Sequence, residues 1–232
     1  MEQININIIA RMHSDFSSKF GIPRQSGLVP SLRSTIVFEP AYRNQDALRG
    51  IEEFSHLWLI WQFSEAVRQE WSPTVRPPRL GGNTRMGVFA TRSPFRPNNL
   101  GLSCVELIGV EQTEEYGTVL HVGGADLMDG TPIFDIKPYI PYSDSYPHAS
   151  GGFTSYVDDF LLEVSFPPDL LKRIPESKQA AAIGVLSHDP RPSYQRNPTR
   201  VYGLVFSGYD IRFTVDGNHL VVQSVEKVAP AL

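Results

Sequence analysis

The chain of 232 residues contains a single cysteine, Cys104. An internal disulfide framework is therefore excluded, and a reducing compartment is the consistent setting. Cys104 lies in an apolar run and reads as a small buried hydrophobe rather than a nucleophile. No apolar stretch approaches transmembrane length. The opening Met-Glu-Gln-Ile-Asn-Ile lacks the basic-then-apolar pattern of a signal peptide. A cytoplasmic enzyme or binding protein is expected, with no membrane partner. No G-x-G-x-x-G follows a strand pattern and there is no P-loop, so the common nucleotide cradles are missing. No paired Cys/His spacing suggests zinc, so no metal is expected on the leading reading, and no G-x-S-x-G elbow points to a serine nucleophile. Internal repeats and low-complexity tracts are also lacking. One further absence is local. No Asp or Glu occurs between Glu70 and Glu106, while Arg76, Arg79, Arg85, Arg92 and Arg96 all fall inside that window. The whole chain carries a formal charge of -4, so this basic stretch points to a directed anionic partner rather than general polyanion binding.

Residues 91–103 read Thr-Arg-Ser-Pro-Phe-Arg-Pro-Asn-Asn-Leu-Gly-Leu-Ser. Arg92 and Arg96 are forked donors suited to carboxylates and phosphates. Pro94 and Pro97 fix φ and push the residues before them toward extended geometry, so the guanidinium groups ride on a stiff backbone. Gly101 permits a close approach or a left-handed turn ahead of the apolar run. Such a loop is a plausible cradle for an anion or a cofactor; the alternative is a Pro-rich surface loop with solvated arginines.

The periodicity favours β structure first. Ile4, Ile6 and Ile8 alternate with Asn5 and Asn7 as in a half-buried strand. Further strands are expected at Ser34–Phe38, His56–Phe63, Met86–Thr91, Leu102–Val110, Thr118–Val122 and Asp135–Ile140, with a short helix or turn at Gln45–Ile51. The Pro-, Tyr- and Gly-rich stretch Pro138–Gly152 reads as a boundary. Beyond it, Pro167–Ile174 and Glu176–Leu186 are helical candidates. Strands follow at Tyr202–Phe206, Tyr209–Val215 and His219–Val228, with Asp216-Gly217 as a hairpin turn. The expected fold is mainly β: an N-terminal single β-barrel domain over 1–145, then a small α+β domain over 146–232.

The chemistry-bearing residues are few. Asp126, Asp129 and Asp135 cluster around Asp129-Gly130-Thr131-Pro132, where they would orient a ribose or an amine, bind Mg²⁺, or simply form a turn. His56 opens an apolar run and reads as a hydrogen-bonded structural residue or a proton acceptor. Trp58 and Trp61 read as core or interface residues.

Several strings resemble the TsaA-like family, whose members are tRNA N6-methyltransferases acting on N6-threonylcarbamoyladenosine next to the anticodon. They are Thr91–Ser103, Asp126–Pro132 running into Phe-Asp-Ile-Lys-Pro-Tyr-Ile, Gly-Ile-Pro-Arg-Gln at 21–25 and Phe-Ser-His-Leu-Trp-Leu-Ile at 54–60. Asp-Pro-Arg-Pro-Ser-Tyr-Gln at 189–195 and Tyr-Asp-Ile-Arg-Phe at 209–213 resemble the C-terminal domain of the bacterial members. The likeness spans nearly the whole chain. It departs from the family pattern at Ser64, where many members have His, and at Asn99-Leu100, where they have Pro-Ile or Pro-Leu.

The resemblance implies a methyl donor, S-adenosylmethionine, held by a β-barrel, and a homodimer whose site borrows residues from its partner. It implies donor contacts at Pro23, Arg24, Gln25, Phe63, Ser64, Arg92, Leu102, Asp129, Gly130, Thr131 and Pro132. On this reading Arg76, Arg79, Arg85, Arg96, Arg191, Arg196 and Arg200 hold the phosphates of the tRNA substrate. His56, Asp126 and Asp135 remain alternatives for the group that accepts the N6 proton. Two other classes compete: a non-catalytic RNA-binding barrel, and a metal-assisted hydrolase built on Asp126, Asp129 and Asp135.

Overall fold

The computed structural model describes residues 3–66, 70–77, 80, 83–156, 160–191 and 197–228. Six strands form the first sheet: β1 (Ala10–His13), β2 (Arg33–Phe38), β3 (His56–Gln62), β6 (Leu100–Thr113), β7 (Gly117–Gly123) and β8 (Pro132–Pro138). Their order is β1-β2-β7-β6-β3-β8, all antiparallel, and β8 returns to β1 through Ala10↔Ile133, so the ring closes. Two-residue strands β4 (Thr74–Val75) and β5 (Met86–Gly87) pair with each other beside it.

The pleat explains the inner face. Leu57, Leu59 and Trp61 are buried along β3, directly opposite Val105, Ser103 and Gly101 of β6. Met12, Ile36, Leu120 and Ile133 complete that core. Outward-facing Trp58 and Ile60 are only half-buried, so what reads as one continuous apolar run is an alternating strand with large residues on both faces.

Two expected strands differ. The Ile4–Ile8 alternation forms no strand, and Ile4 and Ile6 stand 83% and 55% exposed. The strand begins at Ala10, where neighbours exist on both sides to take the backbone hydrogen bonds. Over Met86–Thr91 only Met86–Gly87 is extended. The chain then coils into a 3-10 turn at Val88–Ala90 closed by Thr91 N–H to Val88 O.

A second sheet has the order β10-β11-β12-β9, from β9 (Glu163–Ser165), β10 (Tyr202–Phe206), β11 (Tyr209–Asp216) and β12 (His219–Lys227). The unexpected β9 runs parallel to β12. The helices are α1 (Pro141–Asp144), α2 (Pro168–Leu171) and α3 (Glu176–Ser187). α3 buries Ala181, Ala182, Val185 and Leu186 in the same core as Leu204, Phe213 and Leu220. That core also takes Phe16, Val29 and Leu32 from the segment between β1 and β2. Lys178 Nζ pairs with Asp15 Oδ2 at 2.6 Å, and Ser207 N–H donates to Asp15 O at 2.9 Å. The connection at 14–32 is thus pinned by both sheets, and it carries Pro23, Arg24 and Gln25.

Candidate active site

The Arg-Pro loop folds on its own side chains. Thr91 Oγ1 donates to Val88 O at 2.9 Å and accepts Ser93 N–H at 3.3 Å, and Ser93 Oγ accepts Phe95 N–H at 3.3 Å. Arg96 turns inward: its Nη1 donates to Thr91 O at 2.9 Å, with Ser93 O at 3.5 Å. Asn99 fixes the loop's exit, since its Nδ2 donates to Phe63 O at 3.0 Å and its own carbonyl accepts Phe63 N–H at 3.0 Å. Arg92 points the other way, is exposed, and donates from Nη1 to Gln25 Oε1. The stiff loop therefore has one bracing arginine and one presented arginine.

Gln25 is held in turn by the barrel. Ser26 Oγ accepts Cys104 N–H at 3.2 Å, and Gly27 N–H donates to Gly124 O at 2.8 Å. Pro23 is buried and Arg24 is exposed. The loops 23–26 and 91–97 thus meet over the same end of the barrel.

Beneath them lies a buried polar relay. Trp61 Nε1 donates to Ser103 Oγ at 2.9 Å, and Ser103 Oγ donates to Asp126 Oδ1 at 2.6 Å. Ser103 is 1% exposed. Burial pushes the Asp126 carboxyl above the ordinary carboxylate range, and the Ser103 hydroxyl, backbone N–H groups and the nearby Arg92 charge only partly oppose it. Gly101 makes room for the Trp61 indole, since a Cβ there would lie 2.3 Å from the ring.

The Asp129-Gly130-Thr131-Pro132 turn backs this floor. Asp129 Oδ1 accepts Ser14 N–H at 3.0 Å, and the Asp129 and Gly130 N–H groups donate to Phe16 O and Met12 O. Gly130 takes φ 75°, a left-handed conformation that suits glycine. Those two amides are spent on β1 and its extension, so the turn offers the cleft Thr131, which is 2% exposed, rather than free N–H groups.

These elements enclose an open cleft of about 2280 Å³. Pro23, Arg24, Gln25, Phe63, Ser64 and Arg92 all line it. So do Leu102, Asp126 and Thr131, with Arg76, Arg85 and Arg96 on the outer wall. The structure leaves other expected residues outside. Asp129 and Gly130, both exposed, and buried Pro132 are not among the residues that line it, although their neighbour Thr131 is. His56 sits at the opposite end of β3, exposed, with Nδ1 3.0 Å from Ser55 Oγ. Six residue steps separate it from Gln62, or about 20 Å of strand. Asp135 lies across from Ile60 and pairs with Lys137 Nζ at 2.9 Å. Among the described residues no three His, Cys, Asp or Glu side chains gather as a metal site, so the three aspartates do not act as one cluster.

In the second sheet's neighbourhood, Arg191 forks onto Asp189 at 2.8 and 3.0 Å and is 9% exposed, which holds it firmly charged but engaged. Arg200 is exposed, with Cζ 5.4 Å from the Tyr202 ring centroid. Arg79 and Arg196 lie outside the described residues. Cys104 is half-buried on the outer face of β6. Burial, then Asp144, raises its thiol pKa, which suits an inert side chain. Sequence reasoning missed Ser103 as a site residue. Its signal was a polar side chain at an inward position of an alternating strand.

The family model for the tRNA-methyltransferase O N-terminal domain matches residues 11–145, and that for the TrmO C-terminal domain matches 161–228. A tRNA (adenine(37)-N6)-methyltransferase of Escherichia coli is 40% identical over 224 residues, covering 93% of this chain and 94% of its own. A Pseudomonas aeruginosa protein, provisionally named an S-adenosylmethionine-dependent methyltransferase, is 38% identical over 217 residues, covering 90% and 91%. A TrmO crystal structure from P. aeruginosa superposes with a TM-score of 0.79 at 31% identity, covering 98% of each chain.

Proposed function

The chain belongs to the TrmO family of tRNA methyltransferases, and from that footing we propose that it transfers a methyl group from S-adenosylmethionine to N6 of N6-threonylcarbamoyladenosine beside the anticodon. The observation that carries this reading is the convergence of Arg92, Phe63, Leu102, Thr131 and Asp126 on one cleft. At about 2280 Å³ the cleft exceeds the roughly 300–1,000 Å³ of an ordinary small-molecule site, leaving room for a donor and a nucleotide together.

The lining suits the donor. Arg24 and Arg92 match its carboxylate. Phe63 and Leu102 match an adenine face, and Thr131 and Asp126 match ribose hydroxyls or the amino group. Asp129, Gly130 and Pro132 act by holding Thr131 in place, and Gln25 by orienting Arg92. S-adenosylmethionine, when bound, supplies an electrophilic methyl group on a sulfonium. The protein's own share is positioning, which supplies much of the acceleration in a displacement of this kind. The N6 proton needs an acceptor. Of His56, Asp126 and Asp135, Asp126 is the one that lines the cleft, and its raised pKa brings it closer to the operating pH of a base.

Residues 1–145 would hold the donor and 146–232 would support the tRNA through exposed Arg200, with 14–32 shared as a common seam. A homodimer fits the outer face of β6, where Leu100, Leu102 and Ile108 stand 38%, 53% and 45% exposed. A tRNA substrate fits a cytoplasmic enzyme. No helix among the described residues is long and apolar enough to cross a membrane.

Calorimetry on the purified protein with S-adenosylmethionine and no added metal should show binding. Nucleoside mass spectrometry should show the N6-methylated threonylcarbamoyl nucleoside in tRNA from cells that carry the gene and not from cells that lack it. An unchanged nucleoside profile would refute the assignment.

A further inference from the structure

Two aromatic rings stand in solvent beside the cleft, where core packing does not account for them. Phe89 lines the cleft and is 72% exposed, and Trp71 is 51% exposed. Their centroids lie 6.2 Å apart with planes 32° apart. Arg96 Cζ sits 6.0 Å from the Phe89 centroid. The placement is built rather than loose. Val88 is 1% exposed and anchors the turn, and its N–H donates to Pro73 O at 2.9 Å. The β4–β5 pair, Thr74↔Gly87 and Val75↔Met86, brings the Trp71 end of the chain to the Phe89 end. Arg96 is held by the loop carbonyls of Thr91 and, at longer range, Ser93, so its cation is fixed near the ring.

The surrounding charge decides what such rings are for. Exposed Arg76 and Arg85 share the cleft wall, and the sequence from Trp71 to Val105 carries no carboxylate. An apolar peptide or a second copy of this chain needs no such field. Planar rings joined by an anionic backbone do, and unpaired nucleobases stack on aromatic and guanidinium faces. We propose that Phe89 and Trp71, with Arg96, form a stacking platform for unpaired bases flanking the target adenosine in the RNA loop. The platform rests on the tRNA reading above and deepens it. The nucleotides around a target must be splayed for its N6 to reach the cleft, and stacking on fixed rings offsets that unstacking.

The test uses a synthetic anticodon stem–loop carrying N6-threonylcarbamoyladenosine, and the same loop with the adjoining base replaced by an abasic unit. Affinities are measured at one fixed salt concentration for the parent protein and for Trp71→Ala, Phe89→Ala, Phe89→Leu and Phe89→Tyr. Thermal melting and donor calorimetry on Trp71→Ala check folding. The Ala and Leu variants should bind the intact loop about 5- to 100-fold more weakly, while Phe89→Tyr holds close to the parent. On the abasic loop the parent should lose affinity and the variants should lose little more. Affinity of the variants within about twofold of the parent on the intact loop overturns the platform. So does an equal loss on both loops. A fall in oligomeric state of Phe89→Leu by light scattering would make the rim a contact between copies and overturn it too. A parent protein that neither binds nor methylates the intact loop would instead bring down the tRNA reading itself.

Discussion

Trp61 Nε1 donates to Ser103 Oγ at 2.9 Å across the β3–β6 pair, on the inner face of the barrel. Ser103 Oγ in turn donates a hydrogen bond to Asp126 Oδ1 at 2.6 Å, so one buried hydroxyl satisfies an indole and orients a carboxyl at the cleft floor. Ser103→Ala should strand both partners. Leaving a buried donor or acceptor unmade costs about 1–3 kcal/mol. Denaturant unfolding should show a loss of that size. Methyl transfer should fall further than stability does, because Asp126 loses its orientation. A variant with parental stability would show that the relay contributes nothing to the fold.

Asp126 links stability to pH. Its carboxyl titrates above the ordinary range because burial disfavours the charge. The folded state therefore binds this proton more tightly than the unfolded chain. Stability then falls as pH rises from the unfolded value, about 3.9, through the folded one. Above that window ionised Asp126 is a cost to folding. Asp126→Asn should be more stable than the parent at neutral pH, and the gap should close below about pH 4. Its activity should drop by roughly 10²–10⁴ if the carboxylate is the base. Melting temperature against pH for both proteins, beside single-turnover methylation, checks each half separately.

Much of this arrangement was legible in the sequence because it is local. The Thr91–Ser103 string gave a stiff loop, and the Asp216-Gly217 pair marked the turn between β11 and β12. Gly101 reads as a close approach or a left-handed turn, and the structure takes the first, with the Trp61 ring as what approaches. What escaped depends on long-range packing. Nothing local says that Arg96 turns in to brace Thr91 while Arg92 turns out toward Gln25, because the choice is made by a segment 67 residues away in sequence. His56 failed to join the cleft for a similar reason. It shares β3 with Phe63's neighbour Gln62, but strand length carries it to the far end. The Ile4–Ile8 alternation had the right period and no strand beside it to pair with.

Leu102 tests the assembly. It faces outward on β6, 53% exposed, between exposed Leu100 and Ile108. On the homodimer reading a second copy covers it. Leu102→Arg should then convert the dimer to monomer at micromolar concentration by light scattering, with the melting temperature of the monomer little changed, since a half-exposed surface site is normally within about 0.5 kcal/mol of neutral. Leu102 also lines the cleft, so donor affinity falls with or without a dimer and the solution mass alone reads the assembly. An unaltered mass in solution would place the subunit contact elsewhere.

Arg92 and Arg96 lie four residues apart and should behave oppositely. Arg92 is exposed and donates to Gln25, with Asp126 near its charge, so its removal costs the fold little. Its guanidinium is presented to the cleft, and a hydrogen bond to a charged group contributes about 1.5–3 kcal/mol. Arg92→Ala should therefore weaken donor binding about 10- to 150-fold by calorimetry, at about 1.4 kcal/mol per decade, while the melting temperature holds. Arg96 closes its own loop through Thr91 O. Arg96→Ala should leave that carbonyl unpaired and loosen residues 91–96, seen as faster proteolytic nicking there and a lower melting temperature. Arg96→Lys should restore little, since one ammonium cannot reproduce the planar fork. Should Arg92→Ala bind the donor as tightly as the parent, the carboxylate role assigned to this arginine is wrong. Should Arg96→Ala show no added nicking and an unchanged melting curve, the inward clasp is not what stiffens the loop.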